Sequence, residues 1–320
     1  MNGTRLTGLI LLFCAVGCST LAEDYTRTMV MKGLPAKVTV RVRDPDGNPV
    51  PDAPVKFVFG FANKTDLNIV KGNTDANGMA SGEGLGNDKV VIHVDKTGWY
   101  RPECDYSLRG SGKSYQSGRW EPWNPTLDIT LYPKVNRRQA PKGRSCYYEH
   151  LEQGTAYGFD MLKTDFVLPG RKGETVDFSF TTSGSYTTMR CEGSKSVKTY
   201  ATNILEITFL NDGDGLVKMK KRLDSEFQFT YLAPETGCEQ KVRFNSDFSP
   251  QHRGSTFISD NNEYLIFRIS RKDAVSGEIK RYYGIMTRLE SRSGNGEERT
   301  FDIWYYLNPI PGDRNIEYGP

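Results

Sequence analysis

Histidine is scarce in this chain, at 3 of 320 residues. His93, His150 and His252 lie far apart. No His-x-x-x-His pair, Gly-x-Ser-x-Gly run or Ser-x-x-Lys run accompanies them. The short signatures of zinc hydrolases, α/β-hydrolase nucleophiles and active-site serines are therefore missing. Gly-rich phosphate loops and dinucleotide fingerprints are missing from any strand–loop–helix context. No cysteines stand at Cys-x-x-Cys spacing and no histidine sits near one at zinc spacing, which argues against a structural zinc site. Excess charge is lacking too. The balance of 42 Lys+Arg against 39 Asp+Glu gives +3, too even for a nucleic-acid protein held mainly by phosphate contacts. Beyond the first twenty residues no apolar run reaches bilayer-spanning length. Between residues 29 and 134 no stretch sustains a helical period. No cofactor is expected.

What remains is the composition of a turn-rich β protein. Aromatics make up 12%, with 32 Gly and 16 Pro, and the length suits about two domains. Val38–Arg43, Ala53–Phe59, Val90–Val94 and Leu127–Leu131 alternate apolar and polar residues, as strands with one buried face do. Asp44–Pro49 and Thr74–Gly78 are dense in turn formers. Further along, Val176–Phe180, Ile204–Leu210, Phe227–Tyr231 and Val242–Phe244 read as strands, with Asn211–Gly215 as a hairpin-type turn. Leu216, Met219, Leu223 and Phe227 also fit a helical stripe. Tyr264–Arg271, Tyr282–Leu289 and Phe301–Leu307 predict a three-stranded antiparallel meander. The basic, aperiodic run from Asn136 to Arg144 reads as part of a linker.

The order Val-x-Val, Asp-x-x-Gly-x-Pro-Val, Ala-x-Val and Thr-Asp-x-x-Gly between Val38 and Gly78 resembles bacterial immunoglobulin-like and carboxypeptidase-regulatory (transthyretin-like) modules. The resemblance implies a Greek-key β-sandwich and is nearly silent on function. From Tyr157–Asp160 through Asp177-Phe178 to Gly213–Gly215, the chain is similar to the second half of exported bacterial lipoproteins that bring no activity to transfer. The expected fold is all-β with two sandwich-like domains. Residues 1–17 are read as a signal peptide, 18–28 as a tether, 29–134 as the first domain, 135–150 as a linker and 151–320 as an antiparallel β domain.

The N-terminus carries an address. Arg5 precedes an apolar stretch of signal-peptide length ending in Ala15-Val16-Gly17-Cys18. This resembles the bacterial lipobox, which implies lipidation of Cys18 and a membrane anchor. Ser19, in place of the Asp that retains enteric-type lipoproteins at the inner membrane, implies the outer membrane. An ordinary secretory cut after Ala22 is the alternative. Of the other cysteines, Cys104, Cys146, Cys191 and Cys238 lie in the exported part, and their even number suggests disulfides. Cys191–Cys238 and Cys104–Cys146 are the favoured pairing among three.

Two segments are candidate ligand sites. Gly98–Pro125 holds Trp99, Tyr100, Trp120 and Trp123 with Arg101 and Arg119. Its rings are either a platform for sugars, with Arg fixing polar groups, or a plug for one end of the sandwich. Asp212 and Asp214 in Asn211–Gly215 suit calcium by residue type but lack the EF-hand register, so a plain turn is favoured. The expected function is non-catalytic: an envelope lipoprotein presenting β modules, with a glycan or another envelope protein as partner. The alternatives are carbohydrate binding through Trp99–Trp123 and a hydrolase site of convergent carboxylates in the second domain.

Overall fold

The computed structural model describes residues 33–60, 68–109, 114–116, 118–137, 144–190, 197–249, 262–293 and 299–318. The expected signal peptide, the tether, Cys18, Cys191 and His252 lie outside them. The chain is all-β, and no helix occurs among the described residues. It divides into two compact units: residues up to Lys134 together with Asp224–Glu226, and the rest from Val135 onward.

Unit 1 contains β1 (Leu34–Arg43), β2 (Pro54–Phe59), β3 (Asn68–Asn73), β4 (Met79–Gly86), β5 (Lys89–Val94), β6 (Cys104–Ser107), β7 (Ser114–Gln116), β8 (Arg119–Glu121) and β9 (Thr126–Thr130). They form a sheet in the order β4-β1-β9, a second in the order β3-β2-β5-β6, and the β7-β8 ribbon. β9 runs parallel to β1, and the other pairs are antiparallel. One apolar cluster draws on both larger sheets. Val38, Val40 and Val42 come from β1, Val55, Phe57 and Phe59 from β2, and Val90, Ile92 and Val94 from β5. The alternation legible in these strands is thus the alternation of core and surface.

The turn motifs have specific work. The Asp44 carboxylate accepts from the N–H groups of Asp46 and Asn48 at 3.0 and 2.8 Å. Thr74 Oγ1 donates to Val50 O at 2.7 Å and accepts from Ala53 N at 2.8 Å. Asp75 caps Asn77 and Met79, both at 2.8 Å. Gly78, at φ +76°, lies so close to β1 that a Cβ would sit 2.3 Å from Val42 O. The Thr-Asp-x-x-Gly signature therefore fastens the start of β4 to the end of β1. β4 shows no hydrophobic alternation. Its inward positions are Ala80, Gly82, Gly84 and Gly86, and the missing side chains of Gly82 and Gly84 admit the Phe57 and Phe59 rings.

Unit 2 contains β10 (Arg144–Leu151), β11 (Ala156–Asp160), β12 (Asp165–Phe166), β13 (Phe178–Arg190), β14 (Val197–Phe209), β15 (Gly215–Lys220), β16 (Lys241–Phe248), β17 (Glu263–Lys272), β18 (Ile279–Ser293) and β19 (Arg299–Leu307). Two antiparallel five-stranded sheets result, β10-β19-β18-β17-β15 and β12-β11-β13-β14-β16. Their shared core is rich in phenylalanine, with Phe180 stacked on Phe301 at 4.2 Å between centroids. The expected meander is present as β17, β18 and β19.

Four expectations are corrected. The expected linker ends in a strand: β10 pairs with β19 and buries Cys146 and Leu151. Phe227–Tyr231 is not a strand. Phe227 and Phe229 pack inward from irregular backbone, which hydrogen-bonds Ile316 N through Tyr231 O at 2.9 Å. The Leu216 stripe is not a helix: Leu216 and Met219 lie in strand β15, and Leu223 and Phe227 follow outside any strand. Asn211–Gly215 is not a hairpin turn, because it carries the chain from β14 in one sheet to β15 in the other. Gly215 is needed there, since a Cβ would lie 2.4 Å from Glu239 O.

Candidate functional site

The expected aromatic platform is mostly interior. Tyr100 is 1% exposed and Trp120 6%. Trp120 Nε1 donates to Gly86 O at 2.6 Å, so the indole is fixed at both its apolar and polar ends. Trp99 is half-buried against the unit 1 core. Trp123 is half-buried, with the Arg119 guanidinium 4.8 Å from its ring centre, and Arg119 is held by Glu121 at 2.8 Å. Arg101 is exposed and paired with Asp95 at 2.6 Å. Of the two readings of this segment, the burial of Tyr100 and Trp120 fits the plug rather than the sugar platform. The same region takes in Asp224–Glu226, with Glu103 N on Asp224 O and Glu226 N on Arg101 O, both at 2.9 Å.

The other candidates resolve as follows. Cys104, Cys146 and Cys238 are free thiols, so the Cys104–Cys146 bridge is not formed. Cys104 belongs to unit 1 and Cys146 to unit 2, and each lies in or against its own core. Burial pushes both thiols up to about 11, with Asp105 adding to the effect at Cys104. Asp214 is fully buried and receives Ser270 N and Ser270 Oγ at 2.6 Å and Asn211 Nδ2 at 3.1 Å. Its oxygens thus bind protein donors, which contradicts a calcium role, while Asp212 is exposed outside this contact. No group of three or more His, Cys, Asp or Glu that could hold a metal ion occurs among the described residues. His93 is exposed on β5, and His150 is exposed with φ +66° at the irregularity of β10.

Sequence reasoning missed the buried charged cluster of unit 2. Arg271 on β17 reaches across the sandwich to Asp160 of β11 and to Asp177 just before β13. Its Nη2 lies 2.5 Å from Asp160 Oδ1 and its Nε 2.8 Å from Asp177 Oδ1. Asp160 also accepts from the N–H groups of Lys163, Glu174 and Thr175, and Asp177 from Met161 N at 2.6 Å. Burial shifts Asp177 upward from its ordinary value, against the pull of Arg271. At Asp160 burial pushes the same way, but Arg271 and the three backbone donors outweigh it and hold the group low. Every carboxylate oxygen in the cluster has a protein donor.

Two outer sheet faces are the other places to look. On unit 2, Trp304 (39% exposed) and Tyr147 (57%) flank Arg288, Glu290, Asp302 and Arg292. Glu290 and Asp302 sit directly opposite each other, and Arg288 binds both, at 3.1 and 3.0 Å, while Arg292 adds a second contact to Glu290 at 2.8 Å. These charges satisfy one another. On unit 1, β3, β2 and β5 line a groove of about 410 Å³ whose walls include Lys56, Lys71, Asn73, His93 and Asp95. The register places Lys71, Lys56 and His93 directly opposite one another across the three strands. Finding this row requires the strand pairing, which no single segment of sequence displays.

No protein-family model matches the chain, and no curated protein matches it. Among solved structures, it is similar to 3-chlorocatechol 1,2-dioxygenase from Rhodococcus opacus at 13% identity and TM-score 0.25, over 32% of this chain. The match spans only 61% of that enzyme. A DUF3823 family protein from Parabacteroides merdae is similar at 8% identity and TM-score 0.22, over 87% of this chain and 98% of its own. The major pilin subunit of Bacillus cereus is similar at 9% identity and TM-score 0.22, over 86% and 96%. At these identities and scores the matches assign no family and transfer no activity.

Proposed function

We propose that this chain is a non-catalytic protein of the bacterial cell envelope, anchored in the outer membrane through lipid on Cys18 and presenting two β units for binding or envelope architecture. One observation carries the non-catalytic reading: the buried ionisable groups are consumed in holding the fold. Asp160 and Asp177 form the paired carboxylates that a hydrolase reading would need, yet Arg271 and backbone donors occupy them inside the sandwich. Asp214 holds Ser270. Glu317 receives the N–H groups of Val135 and Asn136 at 3.0 and 2.5 Å. A general acid or base must reach a substrate proton, and these groups face protein donors instead.

The anchoring reading rests on Ala15-Val16-Gly17-Cys18. Several acyl chains would each contribute roughly 0.8 kcal/mol of membrane affinity per buried methylene. Intact mass and detergent partitioning of the membrane-extracted protein, beside a Cys18→Ala variant, test it. Acyl mass on a chain starting at Cys18, lost in the variant, is the expected result. A lipid-free chain starting at Glu23 would make it a secreted protein.

A further inference from the structure

The outer face of the β3-β2-β5-β6 sheet is built differently from an ordinary solvated sheet face. Lys71 on β3 and Lys56 on β2 are direct cross-strand partners, and His93 on β5 is the partner of Lys56 on its other side. Like charges placed directly opposite destabilise a sheet. Neither lysine side chain has an ion-pair or hydrogen-bond partner among the described residues. Two nearby carboxylates are already paired. Asp95 is engaged by Arg101 at 2.6 Å, and Asp105 by Lys89 at 3.2 Å.

One step along the strands, a second row runs parallel to the first. Ile69, Val58 and Val91 occupy successive strands in register; Ile69 is 49% exposed, Val91 half-buried and Val58 9% exposed. The basic row and the apolar row therefore lie side by side, about 7 Å apart along the strand direction. On the other flank of the basic row, away from Ile69, Val58 and Val91, lies a groove of about 410 Å³ that also takes in Asp95, within the size range of small-ligand sites. Asn73 at its margin offers both an amide donor and an acceptor.

We propose that this face binds an acidic polysaccharide, with carboxylates on Lys56 and Lys71 and the apolar face of a sugar ring against Ile69 and Val91. Charge complementarity selects an anion. The spread of single ammonium groups over separate strands, without an arginine fork, suits repeated single charges on an extended chain better than one compact phosphoryl group. The apolar row suits the C–H face of one sugar ring, and Asn73, four residues along β3 on the other flank of the lysines, suits a hydroxyl of another ring of the same chain. The inference extends the binding reading of the previous subsection and does not depend on the lipid anchor, since the site lies wholly in unit 1.

The test is titration of the full chain in detergent with a short oligogalacturonate, using a neutral maltooligosaccharide of equal length as control. The expected result is saturable binding of the acidic sugar alone, weakened by added salt. Lys56→Gln with Lys71→Gln should reduce the affinity about tenfold. Removing two mutually repelling surface charges leaves the core intact, and an unchanged or raised melting temperature verifies that the variant folds. Equal binding by wild type and the double variant, or no binding of the acidic sugar, overturns the proposal. Phosphatidylglycerol vesicles form a further arm. Lysine-dependent vesicle binding without oligogalacturonate binding would assign the face to lipid headgroups and overturn the glycan assignment. Loss of lipid at Cys18 with intact sugar binding would refute the anchoring proposal alone.

Discussion

The two units solve the same problem by different chemistry. Unit 1 joins its sheets with an interior of Val, Ala, Ile and Phe, and β4 contributes glycines that give way to Phe57 and Phe59. Unit 2 adds to its phenylalanine core a buried bridge of charge from Arg271 to Asp160 and Asp177. The outer faces differ in the opposite sense. In unit 2, Tyr264, Ile266, Tyr283 and Ile285 are covered by Ala233, Ile316 and Tyr318, and the charges beyond them pair off. In unit 1, Lys71 is exposed and Lys56 half-buried, and neither side chain has a partner among the described residues. Charge that is buried in unit 2 serves the fold. Charge left unpaired on unit 1 costs stability, and a ligand is what it is free to meet.

The sharpest way to break this contrast is at Arg271. Arg271→Met leaves two carboxylates buried without their cation and should cost about 3–5 kcal/mol. Denaturant titration read by peptide-resolved alkylation locates the loss: Cys146 should become reactive early while Cys104 keeps its protection. Both thiols, held near 11, should alkylate slowly at pH 8 in the native protein, with the rate rising roughly tenfold per pH unit as thiolate forms. Early loss of Cys104 protection would mean that the units do not differ as described. Adding Asp160→Asn and Asp177→Asn to Arg271→Met should recover part of the stability, because the buried charges are then gone.

Gly82→Ala comes next. Its Cβ would meet the Phe57 ring at 2.5 Å, and overpacking of this kind costs about 1–3 kcal/mol, here with Cys104 as the thiol exposed first. Trp120→Phe keeps most of the apolar volume but removes the bond to Gly86 O, and should lower the unit 1 melting transition by an amount equivalent to about 1 kcal/mol. Smallest is Lys56→Gln, which relieves the repulsion from Lys71. Unit 1 stability should hold or rise by about 0.2–1 kcal/mol. A clear loss would show that Lys56 supports the fold rather than a ligand.

The sequence displayed the parts of the fold that follow local rules. The Val38–Arg43 and Val90–Val94 alternations and the Thr74–Gly78 turn are local, and they are where the structure has strands and a turn. β4 was illegible because three of its inward residues are glycines, which carry no hydrophobic signal, and Gly82 and Gly84 make sense only opposite Phe57 and Phe59. β10 was hidden behind the basic run that precedes it, and its outward Tyr147 blurs the alternation. Trp120 could be named but not placed, since its burial depends on a carbonyl 34 residues away. Asp160 and Asp177 looked like ordinary carboxylates. Their one local signal is an Asp adjacent to a core phenylalanine, Phe159 and Phe178 respectively. The Lys56–Lys71 row is a property of pairing, so composition near a charge balance concealed it.

Hydrogen exchange of the full chain with and without the oligogalacturonate tests the central claim most directly, because it reads both outer faces in one experiment. Added protection should be confined to peptides of β2, β3 and β5, absent in the Lys56→Gln, Lys71→Gln variant, with β17, β18 and β19 unchanged. Protection on the β17–β19 face, or none on β2, β3 and β5 at saturating sugar, would contradict that claim.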